Sequence, residues 1–359
     1  TPLGDSLTAQ PNAATRGELW WYSPRDAAQE RDRQPTLDPR EADDNWQILR
    51  LKHFPRGLTP EERTVSWGGV TTVLSKRGTD LSRAQFLDVW VNDGIPYWED
   101  STTADPARRR HGKLILDIGT VSEDALWYRN NPLVAQPWPA VPGPNLRLDT
   151  EDFYGEPDGQ LDLGDQANED VGFDQIERGR PGADPFDVYQ YDDSKDDTDP
   201  DKYAHVNGTE GNQELDTEDL DGEGDLDRAN SYFQVEIDLA DPSLWETDVW
   251  RDYPSHRGEL DATNGWRRIR LPLRNLSLVR PQTTETAAEP IWEKIFHLRA
   301  WVTGFDRETT LEIGGIEITG NRWFENPIAG FDDRPVPSEG LGPGEEFFVG
   351  VLNLSLIHI

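Results

Sequence analysis

The sequence predicts an all-β protein built from antiparallel, jelly-roll-like β-sandwich units with a long acidic, loop-rich connecting segment. Three observations carry this expectation. Nine short stretches are rich in β-branched and aromatic residues and are bounded by Gly, Pro, Asn or Asp. Several alternate apolar with polar residues, as half-buried antiparallel strands do. Helical pattern is confined to "RAQFL" and "PIWEKIF", each long enough for a single turn.

The strands follow in order. Residues 1–16 open the chain as an irregular stretch, and "TPLGDS" in a chain without Met reads as a fragment start. Residues 17–139 form the first expected unit, with strands in "GELWWYS" (17–23), "NWQILRLKHF" (45–54), "VSWGGVTTVLS" (65–75), "QFLDVWVND" (85–93) and "GKLILDIGTVS" (112–122). Residues 140–230 are the acidic connecting segment. Residues 231–325 form a second unit or the remainder of the same sandwich, with "SYFQVEIDLA" (231–240), "GWRRIRLPL" (265–273), "IFHLRAWVTGF" (295–305) and "TTLEIGGIEITGNRW" (309–323). Residues 326–353 read as a Pro/Gly-rich linker. The last six, 354–359 ("LSLIHI"), resemble translated sequencing-adapter DNA and are set apart as a tail.

The two strand regions echo each other. Each runs an aromatic-rich strand carrying Trp90 or Trp301, a turn, and a strand that reaches Ile118 or Ile313 followed by Gly. The first copy carries the longer insertion, "IPYWEDSTTADPARRRH". Such strand pairs suit jelly-roll sandwiches of the carbohydrate-binding type. Expected core residues are Trp67, Phe86, Trp90, Trp266, Trp301 and Ile313, with Trp266, Ile269, Leu271 and Leu273 as one inward row.

Composition bounds the function. The 359 residues carry a net charge of -34, with 14 Trp, 12 Phe and no Cys. Without Cys there are no disulfides, thiolate metal sites or cysteine nucleophiles. The acidic balance argues against nucleic acid, whose phosphates need clustered Lys and Arg. Charge is concentrated in 151–230, where 27 Asp plus Glu face 5 Lys plus Arg. That segment would ordinarily read as disordered. Yet Phe153, Tyr154, Phe173, Phe186, Tyr189, Tyr191 and Tyr203 are spread through it, as in a loop pinned to a domain surface with help from a metal.

Catalytic motifs are sparse. The six His lie in no G-x-S-x-G or H-E-x-x-H setting. A carboxylate pair for glycoside hydrolysis carries no information among so many acids. "PARRRHGK" (106–113) reads as a solvated loop or an anion site. The best-specified motif is "DLDGEGDLDRAN". From Asp219 at position one, Asp221 falls at three, Glu223 at five, Gly224 at six, Asp225 at seven, Leu226 at eight and Asp227 at nine. Calcium loops of this spacing use carboxylates at one, three and five and Gly at six for the sharp turn. Asn230 stands at twelve instead of the bidentate Glu. Asp219, Asp221, Glu223, Asp225 and Asp227 are therefore candidate ligands for a weakly bound, structural calcium ion; a plain acidic turn is the other reading.

Eight short motifs, "GELWWYSP", "WGGV" (67–70), "FLDVWVND", "GKLILDIGTVSED", "EDVGFDQI" (169–176), "EGN" (210–212), "DTED" (216–219) and "WVTGF" (301–305), occur here in the order found in SprA-like proteins. The chain resembles that family from about Gly17 to Trp323. These are very large cell-surface proteins of gliding, type IX-secreting bacteria. The resemblance implies an outer-membrane protein-secretion translocon with a PorV-like outer-membrane partner, a plug protein and exported proteins as passengers. It implies no catalysis, no small-molecule substrate and no organic cofactor. The expected role is that of a non-catalytic, soluble segment that shapes or caps the export path. A secreted carbohydrate-binding module with a structural calcium is the alternative, and an acid-pair glycoside hydrolase ranks last.

Overall fold

Side chains of a strand point alternately to its two faces, and that alternation sorts this chain into layers. The computed structural model describes residues 15–24, 46–94, 111–124, 148–153, 158–164, 167–173, 175–181, 183, 188–196, 199–203, 205–241, 243, 245–246, 266–284, 287–324 and 344–352. Its strands are β1 (Glu18–Tyr22), β2 (Leu49–Phe54), β3 (Trp67–Val73), β4 (Phe86–Asn92), β5 (Lys113–Thr120), β6 (Leu163–Gly164), β7 (Ala167–Asn168), β8 (Ser231–Asp238), β9 (Trp245–Glu246), β10 (Trp266–Pro272), β11 (Val279–Thr283), β12 (His297–Thr303), β13 (Thr309–Phe324) and β14 (Gly344–Leu352). A seven-stranded sheet runs β1-β2-β13-β4-β10-β9, with β14 also paired to β13; a five-stranded sheet runs β11-β8-β5-β12-β3. Every pairing between these strands is antiparallel.

The two sheets share one core. From the seven-stranded sheet come Leu49, Leu51, Leu87, Val89, Val91, Ile269, Leu271, Leu311, Ile313, Ile316 and Ile318. They meet Leu114, Leu116, Ile118, Phe233, Val235, Ile237, Leu298, Ala300 and Val302 from the five-stranded sheet. Strand β13 could not feed this core by simple alternation, because Leu311 and Ile313 are odd-numbered and Ile316 and Ile318 even. A bulge between Ile313 and Gly315 shifts its register on β4 and turns both pairs inward. Gly314 is needed there: a Cβ would lie 2.1 Å from Cη2 of Trp46.

Both sheets draw strands from both halves of the sequence, so of the two readings of residues 231–325 the strand pairing favours the remainder of the same sandwich. The reason lies in the echo itself. β4 of the first copy pairs with β13 of the second, and β5 with β12. Each copy of the echo supplies one strand to each sheet, so the two copies contribute to one shared core.

Several element assignments also change. "RAQFL" and "PIWEKIF" each make a turn and then run extended. Among the described residues the α-helix is α1 (Pro60–Thr64), where Thr59 and Glu62 complete a capping box and Pro60 opens the first turn. Residues 344–352, read from the sequence as linker, are β14, paired with Ile316–Phe324. The tail at 354–359 and most of the 95–111 insertion lie outside the described residues.

The expected core Trp residues are buried, but on the outer faces. Trp90 and Trp266 occupy the even-numbered rows of β4 and β10, opposite Leu87 and Ile269, and pack with Trp46. Ring centroids are 4.6 Å apart for Trp46–Trp266 and 5.9 Å for Trp46–Trp90. Trp266 therefore does not share a row with Ile269, Leu271 and Leu273. Phe86 is half-buried on the same outer face, under the Arg270 guanidinium at 5.5 Å. On the five-stranded sheet, Trp67, Ile115 and Trp301 form the outer cluster.

A buried polar row crosses that same face. Asp117, fully buried, accepts from Gln234 Nε2 (3.0 Å), Arg299 Nε (2.8 Å) and Trp301 Nε1 (2.9 Å). The pairing of β5 with β8 and β12 sets Asp117 between Gln234 and Arg299. An unpaired carboxylate at this depth would be costly. The three donors, one of them a cation, offset that cost.

Candidate metal centre

The acids of the connecting segment act as internal hydrogen-bond acceptors. Few of the described residues of this segment are in ladders, so their backbone N–H groups need other partners. Glu151, fully buried, accepts from the N–H groups of Gly172 and Asp216. Glu169 accepts from Phe153 and Asp162, and Asp170 from Gly211, Asn212 and Gln213. Asp152 accepts from Gly159, Glu210 from Arg178, and Glu218 from Asp149. Carboxylates thus replace ladders as the bonding system of this segment.

Aromatic and polar contacts attach the segment to the sandwich. Tyr203 stacks on Tyr22 of β1 at 4.3 Å, and the Asn207 Oδ1 accepts from the Trp21 N–H at 3.0 Å. Phe173 is buried, while Phe153, Tyr189 and Tyr191 are half-buried. Tyr154 and Phe186 lie outside the described residues.

The other attachment is at the end of β5. Glu123 N donates to Asp227 O at 2.9 Å, while its Oε1 accepts from Leu220 and its Oε2 from Asp227. Asn230 Oδ1 accepts from the Ser122 N–H at 3.0 Å. The residue at position twelve of the calcium-loop spacing therefore docks the loop onto β5.

Among the described residues, two groups of acids around this attachment could hold a metal ion. In each, ligand oxygens lie within 4.8 Å of one another: Glu123, Asp219 and Asp221 in one, and Asp221, Glu223 and Asp227 in the other. Asp219 caps its own turn, with Oδ1 accepting from Gly222 (2.6 Å) and Oδ2 from Gly224 (2.7 Å). Gly222 and Gly224, at φ of 68° and 86°, supply the left-handed backbone this turn requires. Asp225 is exposed and belongs to neither group.

The electrostatics match the crowding. Burial pushes the Glu123 carboxyl up to about 7, against the N–H bonds from Asp227 and Leu220, and the charges of Asp227 and Asp219 push the same way. Glu223 is also raised, by Asp221 first and then Asp227. Nearby, burial lowers His297 to about 4, leaving a neutral imidazole at neutral pH, with Asp221 opposing the shift and Arg299 adding to it.

Sequence reasoning did not identify Glu123 or His297. Glu123 lies almost a hundred residues from the acidic loop, and its only local signal is "SED" at a strand end. His297 carries no spacing signal at all. Among the described residues, no helix is long and apolar enough to cross a membrane, which says nothing of crossing by β-strands. No protein-family model and no curated protein matches the chain.

Proposed function

We propose that this chain is a non-catalytic sandwich region of a SprA-like outer-membrane translocon, shaping or capping the path of exported proteins beside a PorV-like partner and a plug protein. One observation carries the reading: the motifs shared with that family hold the residues that build this scaffold. "FLDVWVND", "GKLILDIGTVSED" and "WVTGF" supply Trp90, Asp117, Glu123 and Trp301. "EDVGFDQI", "EGN" and "DTED" supply the buried acids Glu169, Asp170, Glu210, Asp216 and Glu218. The resemblance is thus one of framework. Trp46, Trp67, Trp90, Trp266, Trp292 and Trp301 are buried, so these six rings serve the packing and are not offered for sugar stacking.

Calcium is the cation we propose for the acidic groups, because it takes six to eight oxygen ligands in flexible geometry. A Kd of about 10⁻⁴ to 10⁻³ M suits a loop of this kind at a cell surface. At tenfold above Kd, calcium would stabilise the fold by about 1.4 kcal/mol.

The test of the translocon reading is genetic. In a gliding, type IX-secreting bacterium that carries this gene, the segment is deleted in frame and a secreted reporter is measured in the medium. The reading predicts loss of export with the PorV-like partner still present in the outer membrane. Unchanged export would contradict it.

A further inference from the structure

We infer that a calcium ion held by Glu123, Asp219 and Asp221 clamps the acidic segment to the end of β5, with the His297 Nε2–H donating to a water that the ion carries. The clamp rests on the calcium reading above. It differs from the sequence-expected site in being centred on Glu123, a residue of the sandwich, and in leaving out Asp225.

Three observations support it. Glu123, Asp219 and Asp221 come from two chain segments about a hundred residues apart, yet their oxygens lie within 4.8 Å of one another. Each carboxylate oxygen has two lone pairs, so one that accepts an N–H keeps another for a cation. Both Glu123 and Asp221 are buried, so the ion would lie between the segment and the sandwich.

The independent observation is His297. It is 1% exposed, and its Nε2 has no hydrogen-bond partner among the described residues. Its Nδ1 takes the Val121 N–H at 3.4 Å, which puts the ring hydrogen on Nε2 and turns that edge away from the amide. Asp221 is the acid whose charge reaches the ring. A buried donor without an acceptor is costly, and calcium sites commonly keep coordinated water. A water on the ion gives this donor an acceptor. Other charges near the site include Glu223 and Asp227, which share Asp221 with the second group, Arg299, whose charge adds to the lowering of His297, and Lys76, whose Nζ lies near Gly222.

The test is calorimetric titration of calcium chloride into the full chain after chelation, for wild type, Glu123→Gln and Asp225→Ala, with the histidine ring signals followed by NMR in wild type. The clamp predicts weaker binding in Glu123→Gln by about tenfold or more, wild-type affinity in Asp225→Ala, and a shift of the His297 ring signals on titration. Gln keeps an oxygen for one of the two N–H groups that Glu123 serves, and circular dichroism checks that this variant folds. Should it not fold, the wild-type NMR titration still decides, because unmoved His297 signals would overturn the clamp. Binding that is unchanged in Glu123→Gln but lost in Asp225→Ala would place the ion in the exposed loop, overturning the clamp and leaving the calcium reading intact. No binding in wild type would overturn both.

Discussion

Replacing Asp117 by Ala tests how the outer face of the five-stranded sheet is held. The change removes one carboxylate and strands three donors: Gln234 Nε2, Trp301 Nε1 and the Arg299 guanidinium. Arg299 is 6% exposed, so its charge would be left buried without a counter-ion. Breaking a buried ion pair by removing one partner costs about 3–5 kcal/mol. An unsatisfied buried indole N–H adds about 1–3 kcal/mol before any relaxation. Because the losses share one site they do not add in full, and we expect about 4 kcal/mol or more. Asp117→Asn should cost nearly as much, since the amide keeps the volume but not the charge. The double variant Asp117→Leu/Arg299→Met should recover the ion-pair part of the loss, because an apolar pair of similar volume removes both desolvation costs, while Trp301 Nε1 and Gln234 Nε2 stay without their acceptor. Urea unfolding followed by Trp fluorescence is the assay, read as a fall in midpoint with the slope unchanged. A loss below about 1 kcal/mol for Asp117→Ala would refute the claim that this row is dry and charge-paired.

Other expectations follow from the same packing. Trp90→Ala and Trp301→Ala should each cost about 3–5 kcal/mol in the same assay, and unchanged stability would show that their clusters do not hold the outer faces. Gly314→Ala should destabilise by about 1–3 kcal/mol, because the new methyl meets the Trp46 ring; a neutral result would mean that Trp46 does not lie over the bulge. Burial, opposed in part by hydrogen bonds and joined by neighbouring acids, pushes Glu151 up to about 8 and Asp216 up to about 7. The folded state then binds more protons than the unfolded one between the ordinary carboxylate range and those values. Stability should fall as pH rises through that window, and thermal melts in chelator should show a lower Tm at pH 8.5 than at pH 5.5. Glu151→Gln should flatten that slope, and an equal slope in the variant would show that Glu151 is not its source.

Most of the sandwich was legible in the sequence because alternation and β-branched runs act locally. The inward rows of β4, β5, β8 and β12 can be read from "FLDVWVN", "KLILDIGT", "YFQVEID" and "HLRAWVT". Two things were not legible. The bulge in β13 reverses the face of every later residue, and its only trace is the Gly314-Gly315 pair. The side of the sheet that a Trp takes is also hidden, since Trp90 and Trp266 are as buried as core residues while facing outward under Trp46. In the acidic segment, composition gave the density of carboxylates but not their partners. Glu151 meets Asp216, and Glu123 meets Asp227, only once the chain has folded back over tens of residues. Asn230 shows the limit most clearly: spacing casts it as a missing ligand, whereas it docks the loop on Ser122.

The central claim is that these carboxylates bond the segment internally and attach it to the sandwich. Hydrogen exchange tests this most directly, because every staple protects a named backbone amide. The account predicts that the amides of Gly172, Gly211, Gln213, Asp216, Leu220 and Asp227 exchange well below unprotected peptide rates at neutral pH, and that Glu151→Gln weakens protection at Gly172 and Asp216 first. Exchange of all six at unprotected rates in the intact chain would contradict it and return the segment to a solvated acidic loop.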